Sequence, residues 1–184
     1  YGGSDGNFGM TVGVMVFRIP NFGEVSNPFI SSELEVTIAQ KGNQLDFPAD
    51  LWAVRTADTD SLVLSDWYIG PSSNAPSGGE AGSIIQESFL DPSSEIGQVK
   101  TSEDANVFLT NYLNAQYDNG NGAGKYVFFR VNKGDQNSFV YGWNAYVLKS
   151  SQAEDGQATA PEIKYTSVVD PIDLPETEPE PEPT

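Results

Sequence analysis

The chain contains no cysteine and no histidine in its 184 residues. Without cysteine there is no disulfide framework and no thiolate metal site, and the redox compartment leaves no mark on the composition. Without histidine there is no Ser-His-Asp triad, no imidazole-held zinc and no general base of the commonest kind near neutral pH. Bases are scarce as well, nine against 26 acids, for a formal net charge of −17. A surface this acidic repels phosphate backbones, so nucleic acid is not an expected partner. Hydrated carboxylates in such number also suit life in salty water, as in a marine bacterium. No apolar run approaches the length that crosses a bilayer, and membrane insertion is not expected.

What is present is the punctuation of an all-β domain. Gly, Ser, Asn and Pro separate short runs of alternating apolar residues. Ser32 to Gln40 is the clearest: Leu34, Val36 and Ile38 share one face, and Glu33, Glu35 and Thr37 the other. Met10–Ile19, Asp50–Thr56, Ile84–Phe89, Tyr126–Asn132, Phe139–Lys149 and Glu162–Val168 read as further strands. Seven strands with such loops predict a two-sheet β-sandwich of the jelly-roll kind. One segment has helical period instead. Thr101 or Ser102 can cap it, Glu103 and Asp104 fill the first turn, and Ala105, Phe108, Leu109, Tyr112 and Leu113 form a stripe, which predicts a single helix over Ser102–Tyr117.

The last fifteen residues change character. From Asp170 there are six acids and no bases, and Pro alternates with Glu from Glu178 to Pro183. Proline removes amide donors and like charges keep the segment extended. The reading is a binding module over 1–169 and a Pro/Glu-rich linker over 170–184 that joins it covalently to a neighbouring domain and packs on nothing. The opening at Tyr1 fits an exported piece whose signal has been removed, and places the protein outside the cell or at its surface.

Several stretches carry a resemblance: Pro28-Phe-Ile-Ser-Ser-Glu-Leu-Glu-Val-Thr-Ile38, Ala49-Asp-Leu-Trp-Ala-Val54, Asp66-Trp-Tyr-Ile-Gly70, Leu109-Thr-Asn-Tyr-Leu-Asn-Ala-Gln-Tyr117, Gly122-Ala-Gly-Lys-Tyr-Val-Phe-Phe-Arg130 and Pro161-Glu-Ile-Lys-Tyr-Thr166. Together they resemble the DNRLRE-type jelly-roll domain of exported bacterial proteins, which overlaps the family 96 carbohydrate-binding modules, over roughly Met10 to Val168. The resemblance implies a jelly roll and a polysaccharide partner.

The chemistry-bearing residues are acids and aromatics. Asp58, Asp60 and the later Asp66 raise the idea of a glycosidase pair, but Asp58-Thr-Asp60 follows a strand in a Thr/Ser-rich turn, where a solvated Asx-turn is the plainer reading. With no supporting motif the chain reads as non-catalytic. Calcium takes six to eight hard oxygens, which loops between strands supply readily. Three loops are candidates for a structural ion: Asp58–Asp60, Asp118-Asn-Gly-Asn121, and Asn132–Asp135 facing Glu154-Asp155-Gly156. Gly120 to Lys125 is no phosphate loop, since Tyr126 stands where Ser or Thr is needed and a strand follows. Sugars stack their C–H faces on aromatic rings. In a regular strand Tyr141 and Trp143 share a face, and Arg130 lies opposite the valine face of its own strand. Those three, toward solvent, form the expected carbohydrate site for a neutral or sulfated polysaccharide, with Trp67 and Tyr68 as the next candidates. Trp52 reads as packing. The expectation is therefore a monomeric, secreted, non-catalytic carbohydrate-binding module, with a structural or adhesive cell-surface module as the alternative.

Overall fold

The protein is described from a computed structural model, which covers residues 13–42, 45, 47–63, 66, 82–133, 145–150 and 160–173. Its strands are β1 (Gly13–Arg18), β2 (Phe29–Lys41), β3 (Ala49–Ala57), β4 (Ser83–Leu90), β5 (Gly97–Lys100), β6 (Tyr126–Lys133), β7 (Tyr146–Leu148) and β8 (Glu162–Ser167), with one helix, α1 (Glu103–Tyr117). The first sheet has the order β1-β6-β3-β4; the second runs β5-β2-β7, with β8 also paired to β2. Every pairing is antiparallel. This is the two-sheet β-sandwich with a single helix that the sequence predicts. No helix among the described residues is long and apolar enough to cross a membrane.

Alternation explains the layering. Leu34, Val36 and Ile38 of β2 are fully buried and meet Met15, Leu51, Ala53, Val127, Phe129 and Val131 of the first sheet in one core. On the other side of β2, Glu35 sits between two lysines: Lys100 Nζ of β5 at 3.6 Å and Lys164 Nζ of β8 at 3.0 Å. Lys100 also reaches Glu33 at 2.8 Å, and Gln98 donates to Glu35 at 2.8 Å. Opposite charges directly across strands favour this register over a one-residue slip, which would turn the acids into the core.

The helix begins where local chemistry places it. Ser102 Oγ accepts the Ala105 N–H, and Glu103 and Asp104 stand at the positive end of the helix dipole. Thr101 Oγ1 accepts the Leu34 N–H at 2.9 Å, tying the entry to β2. Further along, the Asn114 amide accepts the Phe29 N–H and donates to the Phe29 carbonyl, both at 3.0 Å, as a neighbouring strand would. Tyr117 closes the helix, fully buried, its hydroxyl accepting the Phe22 N–H at 2.7 Å and donating to the Gly23 carbonyl at 2.6 Å.

Three details differ from the sequence reading. Phe108 is 62% exposed, because the buried arc of α1 is Ala105, Leu109, Thr110, Leu113 and Tyr117, and Phe108 lies beyond its edge. β5 is a strand that alternation does not reveal; four residues with one apolar side chain leave too little pattern, and β2 imposes the conformation. The tail also does not leave the domain at Asp170. Ile172 forms a bridge with Asn21, its N–H 2.6 Å from the Asn21 carbonyl, and its side chain lies over Gly23, so the folded part extends through at least Ile172.

Candidate functional site

An open cleft of about 300 Å³ lies between the end of β3, the last turn of α1 and the loop that follows it. Thr56, Ala57, Asp58, Ala115, Gln116, Asp118, Asn121, Gly122 and Lys125 line it. The loop's path is set by its backbone. Asp118 takes a left-handed conformation (φ 43°) and its N–H returns to the Asn114 carbonyl, ending the helix; Asn119 and Gly120 keep positive φ. Asn tolerates this region better than most residues. Gly122 then approaches so closely that a Cβ there would stand 2.0 Å from the Gln116 carbonyl oxygen. Its N–H bonds to Tyr117 O at 2.9 Å, and Gly124 N–H and Lys125 O both pair with Ile19, fixing the loop to the end of β1.

The side chains are mutually engaged yet leave hydrogen-bonding capacity. Thr56 Oγ1 donates to Gln116 Oε1 at 2.6 Å, Asn121 Nδ2 donates to Asp118 Oδ2 at 3.1 Å, and Lys125 Nζ stands 3.8 Å from Asp58 Oδ1. The Gln116 amide nitrogen, the lysine ammonium and the free carboxylate lone pairs make a donor-and-acceptor set of the kind that grips hydroxyl groups. No aromatic ring is among the lining residues described.

The residues singled out from the sequence fare differently. Arg130 is not at an open face: it is fully buried, with Nε donating to Asn132 Oδ1 at 3.0 Å. The expectation assumed that one face of β6 meets solvent, whereas Phe128, Arg130 and Asn132 are as buried as the valine face. On that outer face the neighbouring strand contributes Trp52, buried as expected, and Arg55, whose guanidinium lies 3.7 Å over the Phe128 ring. The Trp52 Nε1 has no hydrogen-bond partner among the described residues. Arg55 holds Asp66 with two bonds of 2.5 and 2.7 Å and also reaches the Ser61 carbonyl. Burial works against the Asp66 charge, but the Arg55 bonds, the Val63 N–H and the Arg130 guanidinium outweigh it and hold its pKa below the usual carboxylate value. Asp66 is thus an ion-pair partner, without the raised pKa a general acid needs. Among the described acids Asp50 has a raised pKa, and it lies near the opposite end of β3. Burial and the neighbouring Glu87 push it up against the pull of the Ser88 N–H.

Asp58 and Asp60 are exposed, and Asp58 lines the cleft. Tyr141, Trp143, Trp67, Tyr68, Asp135 and Asp155 lie outside the described residues. Among the described residues no three or more acids stand together as a metal would require. The fold does bring together two loops that the sequence offers only separately, Asp58–Asp60 and Asp118–Asn121. With Lys125 beside Asp58, the result is a mixed polar cleft rather than a cage of oxygens. The sequence does not mark Gln116 and Lys125 as site residues, because their neighbours across the cleft, Thr56 and Asp58, lie far away in sequence. Comparison with family models, with curated proteins and with solved structures finds no match for this chain.

Proposed function

We propose that the chain is a non-catalytic carbohydrate-binding module of a secreted or cell-surface protein that acts on polysaccharide. The observation that carries the reading is the cleft: on a rigid sandwich, two carboxylates, two amides, a hydroxyl and an ammonium converge on a space the size of a sugar ring. A module of this kind raises the local concentration of substrate for whatever it is joined to. The likeness to DNRLRE-type domains in the strand framework supports the same reading. Ring stacking on Trp143 and Tyr141, or on Trp67 and Tyr68, belongs to it as the second way of gripping a sugar. A structural calcium at Asp58 and Asp60, or at Asp135 and Asp155, is a separate element of the proposal; a melting temperature unmoved by chelator removes it.

A glycan array probed with the whole chain tests the function. Binding to at least one polysaccharide class is expected, weakened about tenfold or more by Gln116→Ala or Asn121→Ala, the scale of one or two lost hydrogen bonds. Loss in Trp143→Ala alone moves the site to the aromatic residues. No binding to any glycan sinks the reading in favour of a structural or adhesive module. That second reading has one observation behind it: the outer face of the second sheet, where a stacking platform would stand, is occupied by the Glu33–Lys100–Glu35–Lys164 ion pairs.

A further inference from the structure

The charges around the cleft say which sugars it accepts. Asp118 stands at the C-terminal end of α1, where the aligned carbonyls amount to about half a negative charge, and the last turn of the helix carries no base to offset them. At the rim, the Lys125 ammonium faces Asp58 at 3.8 Å and is largely balanced by it. Among the described lining residues, two carboxylates against one ammonium leave one formal negative charge in excess before the helix end is counted.

The group best suited to sulfate or carboxylate, the arginine fork, is absent from the lining. None of the chain's three arginines is a lining residue, although Arg18 bonds the cleft's own loop. Arg55 is bound to Asp66, Arg130 is buried with Asn132, and Arg18 donates through Nε to the Gly124 carbonyl at 3.3 Å. The cleft's volume equals that of about ten waters, enough for one pyranose ring and little more.

We infer that the cleft is selective for an uncharged, hydroxyl-bearing sugar unit and discriminates against sulfated and uronic-acid sugars, with Asp118 as the specificity-determining residue. This rests on the carbohydrate reading of the same cleft. Hydroxyl groups donate to Asp58 and Asp118 and accept from Gln116, Asn121 and Lys125, whereas an anionic substituent meets like charge. One like charge at about 5 Å, fully screened by water, already weakens binding about fourfold, and partial exclusion of water enlarges the factor.

The test is an amide-shift titration of the whole chain with a neutral galactan tetrasaccharide and with the same tetrasaccharide carrying sulfate. Each is run at about 50 mM and about 500 mM salt, which brackets strong and weak screening. The neutral sugar should shift amides within residues 56–58 and 115–125 with an affinity indifferent to salt. The sulfated one should bind at least about fourfold more weakly at low salt, with the gap closing at high salt and in Asp118→Asn, whose amide keeps both the left-handed conformation and the shape. Sulfated sugar binding the cleft as tightly as the neutral one at low salt overturns the selectivity and leaves the carbohydrate reading standing. Shifts confined to other residues, or none with either sugar, overturn the cleft as a carbohydrate site and the selectivity with it.

Discussion

Replacing Tyr117 by Phe removes one oxygen atom and nothing else, and the structure says what that atom does. The ring would keep its edge-to-face contacts with Phe22 and Phe29, at centroid distances of 5.6 and 6.4 Å. What disappears is the hydroxyl that bridges two consecutive backbone groups, the Phe22 N–H and the Gly23 carbonyl. Phe22 is 2% exposed, so its orphaned N–H has no route to water and costs about 1–3 kcal/mol. The Gly23 carbonyl is half-buried and regains some solvation, adding about 0.5–1 kcal/mol. A total of about 1.5–4 kcal/mol corresponds to a drop of about 3–16 °C in Tm for a domain of this size. Urea unfolding should show a lower midpoint with an unchanged slope, because the surface exposed on unfolding is the same. Amide exchange should show Phe22 losing more protection than Leu34, which is held by Thr101 and follows only the fall in global stability. A Tm within about a degree of the wild type would refute the argument, since it would mean that the two backbone groups are satisfied without the hydroxyl.

Three further perturbations follow from other contacts. Asp50 has a pKa above the unfolded value, so the native state binds the proton more tightly and stability contributed by this group falls as pH rises through the interval above about 4. Asp50→Asn keeps an acceptor for the Ser88 N–H, and should therefore raise Tm at pH 7 and flatten its pH dependence in that interval; a lower Tm at pH 7 would count against the assignment. Gly122→Ala drives a methyl group into the Gln116 carbonyl and should cost about 2–4 kcal/mol, visible as a lowered urea midpoint. Ending the chain after Asp173 should leave Tm unchanged, whereas ending it after Val169, which deletes the Ile172–Asn21 bridge, should lower it by about 2–4 °C, the scale of one hydrogen bond and a little apolar contact.

What the sequence revealed is what local chemistry decides. Strand β2 announces itself because its two faces meet different surroundings, core and polar or charged groups, over its middle from Ser32 to Ile38. The helix announces itself because Ser102, Glu103 and Asp104 satisfy its first turn regardless of tertiary context. The same alternation points Arg130 outward wrongly, since period two says which residues share a face and nothing of what covers that face. Ile172 looked like part of the spacer because the Asn21 carbonyl that receives it is remote in sequence. The cleft was invisible for a related reason. Asp58 and Asp118 were each visible as loop acids, yet their juxtaposition depends on α1 ending beside the end of β3, and Gln116 enters only because of where that helix stops.

The pairing of β8 has a mechanical side. A pull on the residues that follow Asp173 is borne first by the Ile172–Asn21 bridge, and when that parts, the load reaches β8 at Ser167, opposite Phe29. The strand then separates from β2 one rung at a time, from Thr166 and Tyr165 toward Glu162, with the Lys164–Glu35 ion pair among the last contacts to part. Rungs broken in succession resist far less than rungs sheared together, so tension along the tail would undo β8 before the first sheet; Tyr165 leaves with it, and Phe22 and Phe29, which also hold Tyr117, lose one of the rings packed on them. The domain would lengthen under load by releasing one strand before its first sheet is touched.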